Sequence, residues 1–152
     1  MNYCFCESPL GILRIEEEKG NIVRLTRDTC RPEKGQDYLS PLLQNAIRQL
    51  QEYFQGKRKN FDLPLAPEGT VFQKKAWEVL LTIPYGQTIS YGEEAKRTGS
   101  GCPRAVGQAN GKNPIAIVIP CHRVVRADGA LGGYTGGLDM KQFLLTLERQ
   151  YR

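Results

Sequence analysis

SYGEEAKRTGSGCPRAVGQANG, running from Ser90 to Gly111, reads as two short helices joined by a glycine-containing turn. Ser90 and Glu93 have capping-box spacing and open a helix over Tyr91 to Arg97: serine satisfies a backbone N–H of the first turn, and glutamate reaches back to the cap. Thr98 to Gly101 makes the turn. Pro103 suits the first turn of a second helix, where a missing N–H costs nothing, and Gly111 is placed to end it. The pair forms a helix-turn-helix pattern. Its second helix is slender, because Ala105, Gly107 and Ala109 leave much of the surface without bulky side chains. A helix with its side chains is about 10–12 Å across and the minor groove of B-form DNA about 6 Å wide, so docking there favours such residues. Glycine inside a helix costs roughly 0.5–1 kcal/mol relative to alanine, so Gly107 points to a close backbone approach, either by a ligand or by a neighbouring helix.

Upstream, Thr70 with Gln73 is another capping box, for a helix with Phe72, Ala76, Val79, Leu80 and Ile83 on one face and Pro84 as its stop. The proline-rich stretch LPLAPEG, residues 63–69, separates this region from the N-terminal part, giving expected domains of 1–66 and 67–152. In the first, LGILRIEE and NIVRLTR flank Lys19-Gly20-Asn21 and predict a hairpin. Ser40 and Pro41 then open a helix whose apolar positions Leu43, Ala46, Ile47, Leu50 and Phe54 share a face, with Gly56 at its C-terminal end.

Bulk properties set the outer limits. A chain of 152 residues, 40% hydrophobic, holds one or two small cores and excludes a large multidomain machine. The formal charge of +5 suits a polyanionic partner without requiring one. The first twenty residues lack a basic start followed by an apolar core, and no apolar run approaches membrane-spanning length, so a cytoplasmic protein with no membrane partner is expected. Five cysteines, at 4, 6, 30, 102 and 121, are an odd number without an export signal, so reduced thiols are expected. Cys4, Cys6 and Cys30 have no C-x-x-C spacing and the single histidine is His122, so they read as small buried hydrophobes of an N-terminal sheet and no metal is expected.

The run NPIAIVIPCHRVV, Asn113 to Val125, reads as an apolar strand delivering Pro120, Cys121 and His122 into a buried turn. A thiolate is the competent sulfur nucleophile, and a nearby base or positive charge raises its population. Neighbouring residues of a regular strand point to opposite faces, so Cys121 and His122 cooperate directly only if the chain turns there, and otherwise through a bridging water. By itself a Cys-His dipeptide is more often incidental than catalytic.

PCHRVV, preceded by RAVGQANGKNP and followed by GGYTGG, resembles the O6-alkylguanine-DNA alkyltransferase family from roughly Thr70 to Glu148. The resemblance implies an α+β fold: a small N-terminal α/β domain of ribonuclease H-like type, then a mostly helical C-terminal domain with the helix-turn-helix and an active-site cysteine loop. It implies direct, stoichiometric transfer of the alkyl group from O6-alkylguanine, and from O4-alkylthymine, in DNA to Cys121. The product is a thioether with no carbonyl for water to attack, so the protein is consumed, and no cofactor is implied.

By the same resemblance His122 is the base, acting through water, and Glu148 orients it. Glu148 sits in a predicted helix opened by Asp139, with Met140, Phe143, Leu144, Leu147 and Tyr151 inward. Tyr91, Arg104, Ala105, Gly107 and Gln108 are the implied DNA-binding residues, Tyr91 rotating a phosphate and Arg104 filling the space of a flipped base. Asn113, Val124, Tyr134 and Thr135 are the implied pocket, with Tyr134 as a wall, Thr135 as a donor to O6 and Asn113 holding the link between recognition helix and active-site strand. The partner is double-stranded DNA entered from the minor groove with the base flipped out, and the protein acts as a monomer.

The chain departs from the family pattern in TGSGCPRAVG, about a residue short before Arg104, and at Thr135, where serine is frequent. Three other readings stand beside this one. A non-repairing alkylguanine-binding relative lacks the acceptor cysteine that Cys121 supplies. A helix-turn-helix regulator would carry base-reading side chains where this helix has alanine and glycine. A thiol hydrolase built on Cys121 and His122 predicts repeated turnover.

Overall fold

Alternation of apolar and polar side chains builds a three-stranded antiparallel meander at the N-terminus, β1 (Asn2–Ser8), β2 (Gly11–Glu18) and β3 (Asn21–Asp28), paired in that order. The computed structural model describes residues 1–28, 39–134 and 136–152, and the chain divides into two units, Met1–Pro67 and Glu68–Arg152. Cys4, Cys6, Leu13, Ile15 and Leu25 are buried in the first unit, as expected for the two cysteines; Cys30 lies outside the described residues. The expected hairpin turns on Lys19 and Gly20, both at positive φ (52° and 81°), the two-residue geometry that matches the twist of the strands it joins.

Helix α1 (Pro41–Phe54) starts where its sequence predicts, the Ser40 hydroxyl accepting from Leu43 N–H. Its buried face is rotated from the expected one. Leu43, Ala46, Leu50 and Tyr53 are inside, while Ile47 and Phe54 are only half-buried. Tyr53 takes the inner position and packs on Phe61, their centroids 5.3 Å apart. Gln49 is buried because its amide clamps Asp62, donating to the carbonyl at 3.0 Å and accepting from the N–H at 2.8 Å. The proline-rich stretch is a strap: Ile22 donates to Pro64 O and accepts from Ala66 N–H along the free edge of β3.

In the second unit α2 (Val71–Leu80) carries the closed Thr70–Gln73 capping box. Ala76, Leu80 and Ile83 are buried as expected, but the centre belongs to Trp77, whose indole N–H donates to Ala109 O at 2.9 Å. A two-residue strand β4 (Ile89–Ser90) leads into α3 (Tyr91–Thr98), and α4 (Pro103–Gly111) completes the helix-turn-helix, with α2 packed on both. Ser90 caps α3, and Glu93 pairs forward with Arg97 at 3.0 Å. Helix α5 (Leu138–Gln150) begins one residue before the expected Asp139, with Gly137 in the cap position.

The run 113–120 is not a strand. Its side chains are all buried, so the unbroken apolar sequence reflects enclosure on every side, a pattern that periodicity alone does not distinguish from a core strand. The backbone folds into successive turns, Val118 N–H to Ala116 O and Ile119 N–H to Ile115 O, with Ile117 at φ 72°. Pro120, at φ −84° and ψ 65°, centres an inverse γ-turn closed by Cys121 N–H on Ile119 O at 2.8 Å. A 3₁₀ turn (Cys121–Arg123) follows, and β5 (Val124–Val125) then pairs in parallel with β4.

Candidate active site

Asn113 replaces the missing strand partner. Its side-chain carbonyl accepts from Ile115 N–H at 3.0 Å, and its amide donates to Ile119 O at 2.8 Å and to Cys121 Sγ at 3.2 Å. One side chain thus shapes the loop and aims a donor at the thiol. Cys121 is 4% exposed, and burial pushes its thiol up to about 11, against the Asn113 hydrogen bond and the Lys141 charge, which favour the thiolate. At neutral pH the resting group is therefore a thiol.

The 3₁₀ turn directs His122 into the core beside α5. Its Nε2 lies 2.6 Å from Glu148 Oε2, and both residues are almost fully buried. Burial pushes the imidazole down despite the carboxylate, keeping it neutral. A neutral ring facing an acceptor-only carboxylate donates Nε2–H, leaving the Nδ1 lone pair as acceptor. Nδ1 is buried and has no hydrogen-bond partner among the described residues. Burial by itself raises the Glu148 carboxyl, but the bonds from His122 and Arg123 outweigh it and hold the group well below the carboxylate range. Arg123 grips both oxygens, Nε to Oε1 at 2.8 Å and Nη2 to Oε2 at 3.0 Å, and donates to Ile83 O at 2.7 Å. Gly86 N–H adds a bond to Oε1 at 3.2 Å.

Above the thiol opens a cleft of about 770 Å³ whose walls include Tyr91, Arg104, Gly107, Gln108 and Tyr134, with Cys121 among its lining residues. Arg104 and Gln108 are exposed. The Tyr134 hydroxyl lies against Cys121, and burial, reinforced by that thiol, holds it well above its ordinary range. A Cβ at Gly107 would meet only the Tyr91 ring, at an ordinary 3.7 Å, so packing against a neighbouring helix is not what requires this glycine. Gly132 is different: at φ 72°, a Cβ there would come within 2.6 Å of the Tyr91 hydroxyl.

Two implied residues lie elsewhere. Ala105 faces a second groove on the other flank of α4, with Thr70 and Phe72. Val124 is wholly buried and absent from the cleft lining. Thr135 lies outside the described residues.

Sequence reasoning missed Arg123, although it sits inside PCHR, and Lys141. The expected inner face of α5 is also corrected: Met140, Leu144 and Leu147 are buried, but so are Lys141 and Leu145, while Phe143 is half-buried and Tyr151 is exposed. Lys141 lies seven residues before Glu148 on the same side, a spacing that marks it for the face carrying the site. Its Nζ donates to Gly133 O at 3.2 Å, to Leu131 O and to the Tyr91 hydroxyl at 3.3 Å, pinning the 131–133 loop to the helix. Burial pulls this ammonium down to about 8, against the neighbouring Cys121.

Comparison with known proteins follows the division of the chain. The family profile described as 6-O-methylguanine DNA methyltransferase, ribonuclease-like domain, matches residues 1–67, and the one described as its DNA binding domain matches residues 71–150. A methylated-DNA--protein-cysteine methyltransferase of Methanosarcina acetivorans is 48% identical, over 97% of this chain and 98% of that protein. The constitutive enzyme of that name from Bacillus subtilis is 44% identical, over 97% and 94%. The crystal structure of Mycobacterium tuberculosis OGT in complex with DNA superposes with a TM-score of 0.90 at 44% identity, covering 99% of this chain and 94% of that one.

Proposed function

The chain belongs to the 6-O-methylguanine DNA methyltransferase family, and from that premise we propose that it repairs DNA by moving the alkyl group of O6-alkylguanine onto Cys121, once per molecule. The observation that carries the assignment is the buried relay next in sequence to Cys121, which lines the cleft: Glu148 fixes His122 by Nε2 and leaves Nδ1 as an acceptor.

The thiol proton passes through a bridging water to Nδ1, and sulfur attacks the alkyl carbon as the carbon–O6 bond breaks. Guanine leaves as its anion and takes up one proton, so the net change is thiol plus alkoxypurine to thioether plus guanine. Asn113 and Lys141 favour the developing thiolate. The chemistry asks for no metal or cofactor, and a thioether offers water no route to regenerate the thiol.

Reaching O6 requires the nucleotide to leave the duplex, at a cost of a few kcal/mol. The slim α4 enters the minor groove, Arg104 occupies the vacated space, Tyr91 turns the phosphate, and Gln108 with Ala105 and Gly107 meets the backbone walls. Tyr134 stacks on the flipped base, and Thr135 serves O6. O4-alkylthymine enters the same cleft, the protein acts as a monomer, and the cytoplasm is its expected compartment.

Intact-mass analysis after mixing with a duplex containing O6-methylguanine should show one methyl per molecule, mapped to Cys121, in a burst that stops at one equivalent. No gain, or continued turnover, would sink the proposal. Arg104→Ala is expected to slow repair of the duplex by about tenfold or more while changing reaction with free O6-benzylguanine little, since only the duplex needs flipping. Equal losses on both substrates would contradict the flipping role.

A further inference from the structure

Glu94 is a buried acid that the chemistry above leaves unused. It projects from α3 with no exposed surface, and its Oε1 accepts a 2.7 Å hydrogen bond from the side-chain amide of Asn110 on α4. Its Oε2 has no hydrogen-bond partner among the described residues. The surrounding helix pair packs through Ala95, Val106 and Ala109, an apolar setting in which a carboxyl is costly. Burial accordingly pushes the group up to about 7, against the Asn110 bond. An aliphatic side chain at 94 would fill the interface without that cost, so the acid needs a reason beyond packing.

Asn110 supplies one, because it lines the same cleft as Cys121, Tyr91 and Tyr134. A primary amide has a donor end and an acceptor end of nearly equal shape, and its meaning to a ligand depends on which way it is turned. As a carboxylate, Glu94 can only accept, so it takes the amide nitrogen of Asn110 and selects one orientation. A purine edge, with ring-nitrogen acceptors and an exocyclic amine, is the kind of surface that a fixed amide reads.

We propose that Asn110 is a recognition residue for the flipped alkylpurine and that Glu94 is the positioning residue that sets the orientation of its amide. The inference rests on the alkyl-transfer reading above and concerns how the base is recognised.

The test compares two electrophiles at Cys121, each followed by intact mass: free O6-benzylguanine, which carries the purine, and iodoacetamide, which does not. Glu94→Leu is expected to slow benzyl transfer about tenfold, the weight of one well-placed hydrogen bond, while iodoacetamide labelling stays within about twofold. Glu94→Gln keeps a carbonyl for the Asn110 amide and should return benzyl transfer to within about threefold of the parent. Asn110→Leu, which leaves α3 untouched, should reproduce the loss if Glu94→Leu melts too low to assay. Unchanged benzyl transfer in the folded variants, equal slowing with both electrophiles, or failure of Glu94→Gln to restore the rate would each overturn the proposal. Absence of methyl transfer from the O6-methylguanine duplex to the parent protein would overturn the alkyl-transfer reading itself.

Discussion

Cys121→Ser should dock on alkylated duplex and accept nothing from it: intact mass stays unchanged where the parent gains one methyl. The expected fall in transfer rate is on the order of a millionfold, the scale on which deleting a nucleophile acts in other covalent mechanisms. The physical reason lies in the proton. The Asn113 donor and the Lys141 charge favour the thiolate, yet burial still leaves the thiol raised to about 11. Forming a thiolate at neutral pH from there costs about 5 kcal/mol, a gap that proton transfer to His122 has to offset. A serine hydroxyl is a far weaker acid than any thiol and a poorer nucleophile toward saturated carbon, so the same relay does not bring it into range. Cys102, exposed before α4 and making no side-chain cap hydrogen bond, is the control: its labelling by iodoacetamide should be unaffected. Methyl transfer in Cys121→Ser, or a methyl on Cys102 in the parent, would refute the assignment of the acceptor.

Arg123→Met is expected to lower stability by about 3–5 kcal/mol at neutral pH, the range seen when one partner of a buried ion pair is removed. The substitution strips both Glu148 oxygens of a charged donor and leaves Ile83 O without its 2.7 Å bond. Alkyl transfer should fall as well, because the carboxylate that fixes the His122 tautomer loses its own anchor. The effect has a pH signature. Glu148 is held below its ordinary value in the folded protein, so its ionic contribution is complete above the usual carboxylate range and disappears as pH falls through that range toward the depressed value. Urea titrations of parent and variant should therefore diverge most near neutrality and converge in acid. A gap that stays constant with pH would show that the arginine matters through packing alone.

Local rules carried much of the architecture. The Thr70–Gln73 box, Ser40 before Pro41, Lys19-Gly20 and the Pro103 start all appear where the sequence places them, because each is decided within a few residues by backbone hydrogen bonding. The readings that failed concern side chains whose place is decided by distant neighbours. Tyr53 displaced Phe54 from the core because Phe61 was there to receive it. The run 113–120 became turns because one asparagine side chain supplied the hydrogen bonds that a neighbouring strand would have given.

The same division separates what was legible in the site from what was not. RAVGQANGKNP, PCHRVV and GGYTGG carry the family resemblance, and it is that resemblance that nominates Cys121, His122 and Glu148 and pairs them with a slim helix. Sequence says nothing about the protonation of the thiol, since that depends on how much water the fold removes from around it. Nor does it reveal that Arg123 and Lys141, two cations in apolar company, turn inward, because charged side chains are buried only where partners from other elements meet them. The family resemblance is what proposes Cys121 as the nucleophile; its resting state as a thiol, and the partners that can draw its proton away, are properties of the folded interior.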